Sequence, residues 1–339
     1  MNNSIDNNFS LLSLQEEAYL TTDEKAAYYT RFRNYIMTRK LKATTPGARY
    51  WGPKLKNVTN KVAVAVTKAF TDKNAVLIVE GKENIPDGSV IFAFTHQGIL
   101  DNFVWLPVTD KHCFILHGAE VNKLLLLCQL NTGLVLVKKG DLQNNLNAKL
   151  DTIRLLLEGH SIVWFPEGTW NLSPNKLHLP MRYGFLDAAR KAGRPVVPAV
   201  IEYTYDTSTA KECITQINIR YGKPIFVEIN DSLSDKLEEY QEAISTMRYE
   251  LIEAKGLAKR SDVSSRDYIN FIKGCLANLK LGKIDVNRER RFIFGAKDEY
   301  YLFHHINDVP FNEAGELLEP EEAAKLATHD ILWRQFPKK

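Results

Sequence analysis

The chain has 339 residues, 45% of them hydrophobic, which is enough to bury a sizeable core in one large or two small domains. Its 44 basic and 41 acidic residues leave a net charge of only +3, which argues against a nucleic-acid-binding protein. The four cysteines are widely spaced without a Cys-x-x-Cys pair, and no apolar run approaches the roughly 18 residues that cross a bilayer, so we expect a cytoplasmic protein.

Helices are predicted to dominate residues 1–74, which we expect to form a helical N-terminal segment. Residues 13–16 match a capping box, a second helix covers 22–39, and a third covers about 55–70. The second helix carries aromatic residues beside basic ones. They are Tyr28, Tyr29, Phe32, Tyr35, Arg31, Arg33, Arg39 and Lys40. Such a stripe either packs on a core, which is the interpretation favoured here, or lies in a membrane interface.

Between residues 75 and 231, short strand patterns alternate with helical ones. Aliphatic and β-branched runs bounded by turn residues predict eight strands, at 75–80, 90–95, 113–117, 133–138, 161–165, 196–203, 214–221 and 225–229. Helices are predicted at 99–107, 120–131, 142–158 and 183–193. This alternation predicts an α/β core with a largely parallel central sheet flanked by helices. The edge formed by the last two strands is expected to be antiparallel or irregular.

Residues 232–339 are predicted to form a mixed helical extension packed on the core. A long helix begins at Ser232 and ends near Lys255. Residues 264–280 and 319–334 also have helical patterns, whereas the basic segment 287–292 has no clear period.

His96 follows the predicted strand 90–95, and apolar residues at helical spacing begin just after it. If His96 lies on the turn and Asp101 in the first helical turn, the carboxylate can reach back to an imidazole nitrogen. The pair would then be a general base and the group that orients it. No serine or cysteine nucleophile lies nearby, so the activated hydroxyl would belong to a substrate. The alternative is a histidine satisfied by backbone groups, with Asp101 serving the helix N-terminus.

A second turn follows the predicted strand 161–165, with the sequence Pro-Glu-Gly-Thr-Trp at 166–170. Gly168 allows a ligand to approach the backbone closely, and Thr169 offers a hydroxyl. Successive N–H groups in such a turn can hold a phosphate oxygen. Taken alone, however, these residues are more typical of an ordinary tight turn.

Four short blocks, in this order and spacing, resemble the glycerolipid acyltransferase family, which includes glycerol-3-phosphate and lysophosphatidic acid acyltransferases. The blocks are Thr95-His96 to Asp101, Gly133 to Lys139, Phe165 to Thr169 and Val197-Pro198, and Met181 to Gly184 resembles the family's Phe-Lys-x-Gly. The resemblance covers about residues 75–230. Thr95 stands where asparagine is commoner, lysine replaces the arginine of the second block, and Trp170 replaces the arginine after the third.

The resemblance implies an O-acyltransferase that moves a fatty acyl group from a thioester, acyl-CoA or acyl carrier protein, to a lipid hydroxyl. It implies no cofactor, no metal and no acyl-enzyme. His96 would be the general base, and Asp101 would orient it. The implied acceptor-binding residues are Lys138, Lys139, Glu167, Gly168, Thr169 and Arg182. Of these, Glu167 is expected to bond backbone or an acceptor hydroxyl, because a carboxylate repels phosphate.

The departures from the family pattern leave the acceptor open. Lysine is a point charge rather than a planar fork, and Trp170 removes a cation. A glycolipid or another non-phosphate acceptor is therefore one alternative. A catalytically silent lipid-binding relative is another, although the intact His96 and Asp101 argue against it. Residues 79–86 lack the glycine-rich loop of a nucleotide-binding protein. Contact with the inner face of the cell membrane would be peripheral, through the aromatic-basic helix or an apolar rim near the site.

Overall fold

A computed structural model describes residues 9–44, 53–98, 101–109, 111–118, 133–138, 141–168, 171, 177–206 and 213–255. The strands are β1 (Val76–Glu80), β2 (Ile91–Phe94), β3 (Cys113–Gly118), β4 (Leu134–Val137), β5 (Ser161–Trp164), β6 (Val196–Asp206) and β7 (Cys213–Tyr221). The α-helices are α1 (Leu14–Ala18), α2 (Thr22–Thr38), α3 (Pro53–Asn74), α4 (Asp101–Val104), α5 (Leu106–Thr109), α6 (Leu142–Leu157), α7 (Gly184–Ala192) and α8 (Leu233–Glu253).

All seven strands join one sheet, in the order β1-β7-β6-β2-β5-β3-β4. Every neighbouring pair is parallel except β6 and β7, which run antiparallel with Ala199 opposite Tyr221. All four residues of β2 are fully buried, as expected for a central parallel strand covered on both faces. The predicted α/β class with a largely parallel sheet is confirmed.

Three details of the prediction are wrong. Residues 225–229 form no strand, and only Ile225 makes an isolated bridge, to Val196. Strand β7 has β1 on one side and β6 on the other, so it offers no free edge to these residues. The prediction placed the antiparallel pair at the edge of the sheet. In the structure this pair is β6 and β7, and it lies inside the sheet. In the described part of the predicted helix 99–107, which begins at residue 101, two short helices replace one, because Pro107 has no N–H to continue the first.

Several predictions concern residues outside the described ranges. They include the helix at 120–131, the helices beyond residue 255 and the basic segment 287–292. The division of the chain at residues 74 and 231 also stays a prediction, although α8 is seen to pack against β6. Among the described helices, none is sufficiently long and apolar to cross a bilayer.

The aromatic stripe of α2 faces the core. Tyr28, Tyr29, Phe32 and Ile36 are each no more than 3% exposed, and α2 contacts α6 and α7. The favoured interpretation of this stripe is thus confirmed. Its aromatic face is covered by protein and is not available to a bilayer.

Asp151 on α6 fixes the segment that follows α2. Its buried carboxylate accepts hydrogen bonds from Arg39 at 2.5 Å, from the N–H groups of residues 42–43 at 2.9 and 2.7 Å, and from the Thr44 hydroxyl at 3.0 Å. The carbonyl of residue 43 in turn accepts from the N–H of Leu136 on β4 at 2.8 Å. One carboxylate therefore ties the N-terminal helices to the core and helps to cover an edge strand.

Replacing Asp151 with alanine leaves Arg39 buried without its counter-charge. We expect a loss of about 3–5 kcal/mol in the free energy of unfolding, measured by urea denaturation. The matched control is Asp72→Ala, which removes an exposed ion pair with Lys68 and is expected to cost less than about 1 kcal/mol. Equal losses in the two variants would contradict this role of Asp151.

Candidate active site

His96 lies on the turn between β2 and α4, and Asp101 is the first residue of α4. The His96 Nδ1 and the Asp101 Oδ2 are 2.7 Å apart. The two side chains meet because residues 95–98 are not helical, so the chain can bring the carboxylate back towards the ring. The turn is closed by the N–H of Asp101, which donates to the Gly98 carbonyl at 3.2 Å.

The Asp101 carboxylate is fully buried and has three donors besides His96. Its Oδ2 accepts from the N–H groups of Gln97 at 2.5 Å and Gly98 at 2.9 Å. Its Oδ1 accepts from the hydroxyl of Tyr203 on β6. Asp101 therefore bonds the backbone of the turn and the imidazole at once. The predicted contact between the two side chains is present, and the backbone groups that Asp101 bonds precede α4 rather than belong to its N-terminus.

The His96 ring is held on a second side by Phe165, the residue after β5. The two rings are stacked with their centroids 4.2 Å apart and an interplanar angle of 25°. The His96 side chain remains 14% exposed, whereas Asp101 has no exposed surface. Part of the His96 side chain is therefore accessible to a substrate, while a carboxylate and an aromatic ring fix its orientation.

Glu167 joins the turn after β5 to the turn that carries His96. Its Oε1 accepts from the N–H of His96 at 2.9 Å, and its Oε2 accepts from the N–H of Leu179 at 2.8 Å. Both oxygens therefore bond backbone, which is one of the two partners expected for Glu167. Burial raises the pKa of Glu167 to about 7, although nearby Arg248 and the two backbone bonds act in the opposite direction.

The remaining predicted binding residues are only partly described. Gly168 is exposed with a φ of 66°, a left-handed conformation that favours glycine at the turn. Lys138 follows β4, and Arg182 lies just before α7. Both side chains are exposed and lie at the carboxyl edge of the sheet, the same edge as His96. Their binding roles stay predictions, and Lys139, Thr169 and Trp170 lie outside the described residues.

Sequence reasoning missed three residues that border the site. Tyr203 bonds Asp101, and Arg248 on α8 donates to the Gln97 side chain at 2.5 Å. His117 ends up near His96, and burial lowers its pKa, with a smaller contribution from His96 in the same direction. Tyr203 follows the fourth block on the same strand, which could have drawn attention to it. Arg248 belongs to no motif, so the sequence carried no signal for it.

Residues 76–202 match the model of the Acyltransferase family. The chloroplastic 1-acyl-sn-glycerol-3-phosphate acyltransferase BAT2 of Brassica napus is 28% identical over 165 residues, 47% of this chain and 47% of the relative. A 1-acyl-sn-glycerol-3-phosphate acyltransferase of Borreliella burgdorferi is 26% identical over 174 residues, 49% of this chain and 65% of the relative. The crystal structure of the 1-acyl-sn-glycerophosphate (LPA) acyltransferase PlsC from Thermotoga maritima aligns with 66% of this chain and 88% of its own, at 22% identity and a TM-score of 0.47.

The predicted resemblance to the glycerolipid acyltransferases is confirmed by these matches. The matched residues 76–202 contain His96, Asp101, Glu167 and Gly168. The alignments span less than two thirds of the length of these two curated relatives. The N-terminal helices and α8 lie outside the family match.

The raised pKa of Glu167 predicts a pH-dependent contribution to stability. Between the unfolded pKa near 4.5 and the folded pKa of about 7, the folded state binds the proton more tightly, so stability falls as the pH rises. In Glu167→Gln this dependence disappears. Between pH 4.5 and pH 8, the unfolding free energy of the unmodified protein should therefore fall by about 3 kcal/mol relative to the variant in urea titrations. Parallel pH profiles would show that Glu167 titrates normally in the fold.

Proposed function

We propose that this protein is an O-acyltransferase that moves a fatty acyl group from a thioester donor to a hydroxyl of a lysophospholipid or glycerol-phosphate-like acceptor. The observation that carries the proposal is the 2.7 Å contact between His96 and Asp101, which lies within the residues that match the Acyltransferase family. The names of the two relatives point to 1-acyl-sn-glycerol-3-phosphate as the first acceptor to test.

In the proposed reaction, His96 acts as the general base. With Nδ1–H donated to Asp101, the lone pair of Nε2 takes the proton from the acceptor hydroxyl as its oxygen attacks the thioester carbonyl carbon. Asp101 stabilises the positive charge that the imidazole gains. When the tetrahedral intermediate collapses, the C–S bond breaks, and the imidazolium returns the proton to the departing thiolate. The acyl group passes directly to the acceptor, so the reaction needs no acyl-enzyme.

Acceptor binding is assigned to the carboxyl edge of the sheet. Lys138 and Arg182 supply exposed positive charges there, and Gly168 keeps the turn open to an approaching anion. Lys139 and Thr169 are proposed as further phosphate contacts from the sequence pattern alone. Glu167 acts as a brace for the two turns, because both of its oxygens already accept backbone N–H groups.

The experiment is an acyl-transfer assay with acyl-CoA or acyl carrier protein donors against lysophosphatidic acid, other lysophospholipids, glycerol phosphate and glycolipids. We expect transfer to a phosphate-bearing acceptor, and we expect His96→Ala to lower kcat by about 10²–10⁴-fold. The control is His160→Ala, which should leave kcat unchanged. His160 precedes β5 and therefore lies at the edge of the sheet opposite to His96. No transfer to any acceptor by the unmodified protein, or full activity in His96→Ala, would refute the proposal.

We place the peripheral membrane contact on α3 rather than on α2. Val58, Val62 and Val66, four residues apart on α3, are 59%, 59% and 64% exposed. Exposed lysines lie on the same helix, and α3 packs against α4 and α5, which follow the His96 turn. An apolar stripe with flanking cations is suited to the surface of an anionic bilayer. This position would bring the bilayer close to the candidate site.

Replacing all three valines with serine should weaken binding to vesicles of anionic phospholipid at least tenfold, because the apolar area that enters the interface is lost. Sedimentation with the vesicles measures the bound fraction. Phe226→Ser is the control, since Phe226 is 55% exposed but lies beside the amino end of β6. Equal binding by the triple variant and the unmodified protein would exclude α3 as the contact.

A further inference from the structure

Arg248 on α8 is a fully buried arginine that lies outside the residues that match the family model. Each of the three guanidinium nitrogens donates a hydrogen bond. Nε donates to Glu202 at 2.9 Å, and Nη2 donates to the side-chain oxygen of Gln97 at 2.5 Å. Nη1 donates to the carbonyl of Leu177. The side chain thus contacts β6, the His96 turn and the segment before α7 together.

The segments that Arg248 contacts are those that hold the candidate catalytic pair. Gln97 follows His96, and its N–H donates to Asp101. Residues 177–179 carry the N–H that donates to Glu167, the brace of the His96 backbone. Glu202 immediately precedes the tyrosine whose hydroxyl donates to Asp101. A shift of Arg248 would therefore move three segments that contact the candidate catalytic pair.

Stability alone is a poor reason for burying this arginine. Removing a guanidinium and a carboxylate from water is costly, and a well-packed apolar pair of similar size is often as stable as a buried ion pair. A planar guanidinium can do what an apolar side chain cannot, which is to bind several acceptors in directions fixed by its geometry. Here those acceptors are a side-chain amide, a carbonyl and a carboxylate from three separate segments.

We propose that Arg248 is a positioning residue for acyl transfer, which holds the Gln97 turn and residues 177–179 at the distance from β6 that the His96–Asp101 pair requires. The inference rests on the proposed function for its kinetic consequence. It also implies that residues 76–202 do not hold the site unaided, since α8 supplies part of its support.

The test separates stability from geometry with a charge-balanced pair of substitutions. Arg248→Met removes the ion pair between Arg248 and the buried Glu202 carboxylate and leaves Glu202 with the more distant Lys255, 4.0 Å away, so the fold should lose stability. Arg248→Met with Glu202→Gln removes both charges and should recover most of that stability. We expect kcat of the double variant to stay about 10- to 100-fold low, with KM changed less than threefold, because Gln97 and Leu177 still lack their donor. If kcat recovers together with stability, the proposal is overturned.

Two further variants extend the test without removing a buried carboxylate. Arg248→Lys keeps the charge but not the planar fork, so we expect kcat to recover only in part, and full recovery would contradict the proposal. Gln97→Ala should lower kcat by itself but add little to the loss in the double variant, because both remove the same hydrogen bond between Arg248 and Gln97. Fully additive losses would separate Gln97 from Arg248 and overturn this link.

The control is Arg220→Met with Glu250→Gln, which removes an ion pair that also joins α8 to the sheet. It also breaks the pair between Arg220 and Glu80, whose side chain is 49% exposed and can be solvated by water. This variant should keep kcat within twofold.

A second readout does not depend on enzymatic activity. Hydrogen exchange of the amides of residues 96–98 and 179 should be at least tenfold faster in the double variant, while the amides of β7 exchange at the same rate. Unchanged exchange at these amides would overturn the inference even if kcat falls. Accelerated exchange in a protein that transfers no acyl group would refute the proposed function and leave the role of Arg248 in holding the turn.

Discussion

The site depends on one carboxylate, that of Asp101. In the interior of a protein, a carboxylate must find donors for both of its oxygens, because burial without hydrogen bonds is very costly. Asp101 meets this requirement with two backbone N–H groups, the Tyr203 hydroxyl and the His96 imidazole. The backbone donors exist only when residues 97 and 98 adopt this turn. Folding of the turn and orientation of the histidine are therefore the same event.

The sequence predicted the parts of this arrangement that are local along the chain. A strand that ends at a histidine, followed by an aspartate at the helix start, was sufficient to predict the pair that the structure brings within 2.7 Å. It could not predict Tyr203 or Arg248, because their contacts depend on how β6 and α8 pack against the turn. The strand predicted at 225–229 failed for a similar reason. Its residues suit a strand, but β7 already has neighbours on both sides.

The departures from the family pattern are of different kinds. Thr95 has a structural function, since its hydroxyl accepts from the N–H of Ile201 at 2.9 Å and joins the end of β2 to β6. Lys138 is exposed at the carboxyl edge of the sheet, so in the proposed function its replacement of arginine would affect recognition of the acceptor rather than folding. A single positive charge without a planar fork selects less strictly between phosphate geometries. Acceptor preference is therefore the property in which this protein is expected to differ from its relatives.

The placement of β7 between β1 and β6 has a consequence for synthesis of the chain. Of the described strands, β1 is the first to leave the ribosome, yet its partner in the sheet is β7, with Val76 opposite Gln216. Until β7 emerges, the backbone groups of β1 have no partner strand, and Val76 and Ile78 add exposed apolar surface beside them. Closure of such a distant pair is slow, because the entropy of a long loop is lost before the contacts form. The nascent protein therefore passes through a stage in which this strand is open to pairing with other chains, and rapid completion or chaperone protection would shorten that exposure.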